Sequence, residues 1–177
     1  MSQALAVTRR RGFPAPLKIG DAEIPWGRTA KYLGVVIDRS LTMAAQCQAA
    51  VNGAKAAVAQ LHSAYSSPQI PLNMRLALYK LYVRSRLTYA APAWHHLLSA
   101  TYKRTLQRFQ NKVLRRIAGA PWYVRNETIA RDLRVESVEA FVAHLSKNLF
   151  ARADASRLPE LADLALWHAP TASRRRP

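Results

Sequence analysis

Residues 30–42 read AKYLGVVIDRSLT, and the order of secondary structure along the chain turns on them. Tyr32, Leu33, Val35, Val36 and Ile37 are strand formers, interrupted by Gly34 and closed by Asp38. The residues before this stretch form short, alternating segments broken by turn residues; those after it repeat with a helical period. Upstream, residues 3–8 (QALAVT) alternate loosely and stop at Arg9-Arg10-Arg11. Residues 16–25 (PLKIGDAEIP) predict a β-hairpin: Leu17 and Ile19, a Gly20-Asp21 turn, then Ala22 and Ile24. Residues 30–37 add a further strand. Residues 1–41 are therefore expected to form one small antiparallel sheet of three or four strands, too small to stand without a packing partner.

Downstream, Met43, Cys47, Val51, Ala54, Val58 and Leu61 mark a helical stripe from Thr42 to about Tyr65, broken at Ser66-Ser67-Pro68. A second helix is expected from Leu72 to Tyr89, with Leu72, Leu76, Tyr79, Val83 and Leu87 on one face and Pro92 ending it. A third begins near Ser99, an N-cap candidate, carries Tyr102, Leu106, Phe109, Val113 and Ile117, and stops at Gly119 before Pro121. A short helix after Asn126 (Ile129, Leu133) and a longer one over about 136–152 (Val138, Phe141, Val142, Leu145, Leu149) complete a bundle over residues 42–155. Residues 156–177 read as a loosely attached basic tail. The fold class is α+β, a small N-terminal sheet followed by helices.

Composition narrows the function. Of 177 residues 31 are alanine, which favours helix but buries little surface, so the core should be thin. No uncharged run is long and apolar enough for a membrane span, and the N-terminal apolar stretch is too short for a signal peptide. The single cysteine, Cys47, excludes a disulfide within the chain and a cysteine-rich zinc site. An intracellular protein, nuclear or cytoplasmic, is the expectation.

Charge is the strongest signal. Lys and Arg number 27 against 10 acidic residues, a net +17. Between Asp38 and Glu127 there is no acid at all, while 13 Lys and Arg fall there. Surfaces ordinarily mix signs, and the simplest partner for such a stretch is a polyanion whose counterions are released on contact. Arg104, Arg108, Lys112 and Arg116 succeed one another four residues apart on the third helix, with Lys103 and Arg115 alongside; Arg75, Lys80, Arg84 and Arg86 lie on the preceding helix. Each four-residue step rises about 6 Å, comparable to the spacing of phosphates along a strand. A solvated basic face is the plain alternative, but the missing counter-charges favour a groove for nucleic acid, read through its backbone and without sequence preference.

Other chemistry finds little support. Two-metal nucleotidyl transfer needs at least two converging carboxylates, and the acids nearest to Asp38 are Asp21 and Glu23, at or beside the hairpin turn; capping the segment Ser40–Met43 explains Asp38 more cheaply. His62, His95, His96, His144 and His168 show no ligand spacing. Trp94, Trp122 and Tyr123 sit beside prolines at helix ends, where packing against the bundle is expected over base stacking.

Six segments occur in a recognisable order: AVTRRR (6–11), IPW (24–26), KYLGVVID (31–38) with SLT (40–42), LTYAAPAW (87–94), FQNKVLRRIAGAPWYVRN (109–126) and ARDLRVESV (130–138). Together they resemble the C-terminal part of the reverse transcriptase of jockey-like non-LTR retrotransposons. The resemblance implies that Lys31, Tyr32, Leu33 and Gly34 form the primer-grip block after the palm, with Gly34 allowing close backbone approach. It also implies that the helices form a thumb whose Arg75, Lys80, Arg84, Lys103, Arg104, Arg108, Lys112, Arg115, Arg116 and Arg125 hold RNA or an RNA–DNA primer–template duplex. The family's aromatic-Ala-Asp-Asp box is not among these residues; the Ala-Asp pairs are Ala153-Asp154 and Ala162-Asp163, neither with a second Asp after it. The expectation is a fragment inactive by itself, whose parent polymerase holds magnesium ions on palm aspartates outside this sequence and whose partners include the missing palm and fingers. A stand-alone basic nucleic-acid-binding module is the alternative.

Overall fold

The computed structural model describes residues 4–8, 12, 14–20, 22–67, 69–158 and 161. The α+β order is as expected: six short strands, then helices. The strands are β1 (Ala4–Leu5), β2 (Leu17–Ile19), β3 (Ala22–Ile24), β4 (Trp26–Gly27), β5 (Thr29–Tyr32) and β6 (Val35–Asp38). The hairpin expected at 16–25 is β2–β3, with Leu17 opposite Ile24 and a Lys18–Glu23 ion pair of 3.3 Å across it.

Two expectations about the strands need correction. They do not form one sheet but three separate two-stranded ladders, β1–β4, β2–β3 and β5–β6, of which β1–β4 is parallel. With strands of two to four residues no ladder is long enough to template a third, and Pro25, between β3 and β4, has no N–H to give. Residues 30–37 are not one strand either. They form the tight hairpin β5–β6, pairing Tyr32 with Val35 and Lys31 with Val36. The two turn residues, Leu33 (φ 45°) and Gly34 (φ 83°), both lie at positive φ, as a two-residue type I′ turn requires.

The β5–β6 hairpin is fastened to the helices. Val35 and Ile37 pack on the core, and the buried Gln46 side chain accepts the Val36 N–H at 2.8 Å. Asp38 ends β6 by accepting the N–H of Thr42 (3.0 Å), the Thr42 hydroxyl (2.9 Å) and the N–H of Met43 (2.6 Å), which sets the entry to the first helix.

The helices are α1 (Ala44–Gln60), α2 (His62–Ser66), α3 (Leu72–Leu78), α4 (Ser85–Leu87), α5 (Ala91–Trp94), α6 (Ala100–Ala118), α7 (Asn126–Asp132) and α8 (Val138–Asp154). A π-helical stretch, Tyr79–Arg84, joins α3 to α4 without a break. Tyr79, Val83 and Leu87, four residues apart, are all fully buried. In an α-helix such spacing drifts by about 40° per step; the wider π turn offsets that drift and keeps the three on the core side. Pro92 does not end this helix. The helix stops at Leu87, Ala90 turns the chain at φ 50°, and Pro92 sits in the first turn of α5, where a missing N–H costs nothing.

One core runs through the bundle: Cys47, Val51 and Ala54 of α1, Trp94 of α5, Leu106, Val113, Leu114 and Ile117 of α6, and Val138 and Val142 of α8. A polar chain crosses it. The Tyr79 hydroxyl donates to Gln110 Oε1 (2.7 Å), and Gln110 Nε2 donates to the Glu136 carbonyl (2.8 Å). Gly119, at φ 60°, terminates α6 as expected, and Ser137 caps α8 by accepting the Ala140 N–H at 3.1 Å. Ser99 occupies the α6 N-cap position but makes no side-chain capping bond.

Candidate nucleic-acid interface

The four cations spaced along α6 are all exposed, and their Cα atoms span about 18 Å of helix. They do not form a straight row. At 3.6 residues per turn each four-residue step rotates about 40°, so Arg104 and Arg116 point about 120° apart. Arg104 borders a hollow next to α8, lined by Lys103, Gln107 and Glu139. Arg116 turns toward α2, where burial pushes the Tyr65 phenol up to about 12 against the pull of the Arg116 charge. Arg108 and Lys112, between them, face a cleft of about 570 Å³ together with Lys55 of α1, Arg115 and Trp122.

Several other cations of the expected binding set have partners within the chain. Lys103 pairs with Glu139 at 3.2 Å. Arg115 donates to the carbonyls of Pro121 and Val124 and to Asn126 Oδ1, binding the loop after α6 to the helix. Arg75 donates to the carbonyls of Ile70 (2.8 Å) and Ser67 (2.9 Å), closing the loop before α3. Arg84 lies 3.9 Å over the Phe141 ring. Lys80 and Arg125 are exposed. Thus α6 touches the π-helical stretch Tyr79–Arg84 through the Tyr79–Gln110 bond, yet two of the cations expected to line a groove from that side, Arg75 and Arg84, are engaged within the protein.

The hairpin tip is a second cationic place. Lys31, Tyr32, Leu33 and Gly34 are all exposed, and Leu33 is 75% exposed. The Tyr89 hydroxyl donates to the Leu33 carbonyl at 3.1 Å. A Cβ on Gly34 would sit 3.0 Å from Tyr89 Cε1. The bare glycine therefore admits the Tyr89 ring, in addition to supplying positive φ. Lys31 and Arg86 line a cleft of about 490 Å³ with Gly53, Ser85 and Tyr89 between the hairpin, α1 and α4.

Asp38 does what the sequence suggested and little else. Burial alone would raise its pKa, but the bonds from Thr42 and Met43 outweigh it and hold the carboxyl below the usual range. Both oxygens are occupied, and Glu23 is turned to Lys18; Asp21 lies outside the described residues. With their oxygens so engaged, Asp38 and Glu23 do not present a carboxylate pair for magnesium. Among the described residues no group of three His, Cys, Asp or Glu could hold a metal. Likewise no helix among them is long and apolar enough to cross a membrane.

The aromatic residues split. Trp94 is fully buried, its Nε1 donating to the Tyr89 carbonyl at 2.9 Å, as expected for a core residue. Trp122 (89% exposed) and Tyr123 (70%) contradict the expected packing. They form a T-shaped pair with centroids 6.0 Å apart on the outside of the loop that Arg115 ties down. With the backbone held inward by the arginine, the two side chains are left outward. Lys55 is a cation of this surface that sequence reasoning misses; an isolated lysine among the alanines of α1 gives no signal of its own.

No protein-family model matches the chain. No solved structure matches it either. Curated proteins do. The chain is 34% identical over 138 residues, 77% of its length, to a probable RNA-directed DNA polymerase from transposon X-element of Drosophila melanogaster. It is 29% identical over 125 residues (70%) to the RNA-directed DNA polymerase from mobile element jockey of Drosophila funebris. Identity to a probable RNA-directed DNA polymerase from transposon BS of Drosophila melanogaster is 28% over 135 residues (75%). The aligned part spans only 15%, 14% and 15% of those relatives. By this similarity the chain is homologous to a short segment of the RNA-directed DNA polymerases of jockey-like non-LTR retrotransposons.

Proposed function

We propose that the chain supplies the primer–template grip of an RNA-directed DNA polymerase, without the residues that make the bond. The cations left exposed on α6 hold the sugar–phosphate backbone of an RNA–DNA duplex, and the Lys31–Gly34 hairpin tip lies against the primer strand as a primer grip. Magnesium and its aspartates belong to palm and fingers portions outside this sequence, which would be its protein partners. The observation that carries the reading is the basic face of α6, a helix with no acid of its own, from which Arg104, Arg108, Lys112 and Arg116 reach solvent.

The hairpin tip adds independent support. Leu33 occupies a positive-φ position that asparagine or glycine fills more cheaply, and it exposes its side chain there. Folding gains nothing from either property, and a strained, solvent-facing apolar residue is what a contact to a ligand would retain. The test is anisotropy of a labelled RNA–DNA primer–template duplex across a salt series. A saturable complex with a steep salt dependence is expected; binding no tighter than to an unrelated protein of equal charge refutes it.

One observation favours a second reading, a stand-alone nucleic-acid-binding module: the continuous core joining α1, α5, α6 and α8. Such a module requires the isolated chain to unfold in one cooperative thermal transition. A broad, non-cooperative melt removes this reading and leaves the fragment reading in place.

A further inference from the structure

We infer that the cleft between α1, α6 and the α6–α7 loop is a site for an unpaired nucleotide, with Trp122 stacking on its base and Lys55, Arg108 and Lys112 on the flanking phosphates. This rests on the nucleic-acid reading above and deepens it by naming the strand type.

Three features coincide there. The first is charge: Lys55, Arg108 and Lys112 line one cleft, and Arg115 beside them is already bonded to the loop, so three cations are left for a ligand. The second is the indole. Trp122 lines the same cleft, yet 89% of its surface faces solvent. Its neighbour Tyr123 meets it in a T-shaped rather than a stacked arrangement, which covers at most one face of the indole. The third is support: Arg115 holds the Pro121 and Val124 carbonyls on either side of the aromatic pair, so the platform stands on a pinned backbone.

A continuous duplex cannot use this arrangement fully. Its bases are stacked on one another and present only edges to a protein, whereas an unpaired or terminal base offers a π-face. Phosphate-binding cations with an exposed aromatic among them are the elements of single-strand sites, which tolerate any base because every base has a face to stack. The cleft of about 570 Å³ falls within the range of sites that enclose small ligands, about 300–1,000 Å³. The occupant is therefore a nucleotide at a single-stranded stretch or overhang of the bound nucleic acid.

The test uses the full chain and three labelled ligands of equal length: a single strand, a duplex with a single-stranded overhang and a blunt duplex. Trp122→Ala is expected to weaken the first two about tenfold and to leave the blunt duplex within about twofold. Trp122→Phe should recover most of the loss. Arg108→Gln with Lys112→Gln should make the single-strand salt slope shallower by about 1.4, at roughly 0.7 per phosphate. An equal loss on all three ligands with Trp122→Ala, or no loss on any, overturns the inference. If the unmodified chain binds no duplex but binds a single strand in a Trp122-dependent way, the inference stands and the duplex-grip reading fails. Duplex binding that ignores Trp122, with single-strand binding equally indifferent, is the reverse.

Discussion

Two double substitutions remove the same charge and are expected to do different things. Arg108→Gln with Lys112→Gln, and Lys103→Gln with Arg115→Gln, each take two positive charges from the +17 chain. An account based on net charge alone makes them equal. The structure does not. Arg108 and Lys112 are exposed, whereas Lys103 is paired with Glu139 and Arg115 is spent on Val124 and Asn126 at 2.6 and 2.9 Å. Removing two phosphate contacts makes the duplex salt slope shallower by about 1.8, taking roughly 0.9 per contact, and weakens binding about 30-fold at about 0.15 M salt. The second pair leaves the slope within about 0.3 of the unmodified chain. It costs stability instead: about 1.5–3 kcal/mol for the charged hydrogen bonds of Arg115 and at most about 1 kcal/mol for the exposed Lys103–Glu139 pair. For a chain of this size that is a fall in Tm of roughly 4–12 °C. Anisotropy over a salt series and thermal unfolding by circular dichroism read the two effects separately. Equal slope changes from both pairs would refute the division of cations into binding and structural sets.

Leu33→Asn relieves positive-φ strain and should raise stability by about 0.5–1 kcal/mol while weakening primer–template binding; a stability gain with unchanged binding would remove Leu33 from the interface. Tyr79→Phe leaves the buried Gln110 Oε1 without its donor and should cost about 1–3 kcal/mol, read as a lower denaturant midpoint; an unchanged midpoint would mean that this bond adds nothing to the fold. His95 gives a pH signature. Burial, helped by Lys103 and His96 and opposed by Glu139, holds its pKa below the ordinary value. The folded chain thus resists its protonation, so its contribution to stability is full above the unfolded pKa of about 6.5 and is lost as pH falls through the folded value. Tm should drop between about pH 7.5 and pH 5.5, and His95→Gln should flatten that drop; an unchanged profile contradicts it.

Helices with strong periodicity and good stops are legible in the sequence. The α6 apolar stripe with Gly119 is one case, and the β2–β3 hairpin, with its turn between alternating arms, is another. The β5–β6 hairpin is not, because its turn carries Leu33 where asparagine would announce it. The π-helical stretch is hidden because spacings of four fit both helix types over a short run. At the interface, the excess of cations is plain but its division is not. Arg75 and Arg115 find their partners in backbone carbonyls, which a count of charged residues cannot see. Carbonyl dipoles thus account for part of an acid-free stretch that by composition looks wholly available to phosphates. The outward placement of Trp122 and Tyr123 escapes the sequence for the same reason: the arginine that pins their loop lies a helical turn back, on α6, and looks like one more surface charge.

Binding of the purified chain to an RNA–DNA primer–template duplex across a salt series tests the central claim most directly. If four to six phosphates are contacted, log affinity should fall against log salt with a slope of about −4 to −5. Absence of saturable binding at low salt would contradict a nucleic-acid grip in this segment.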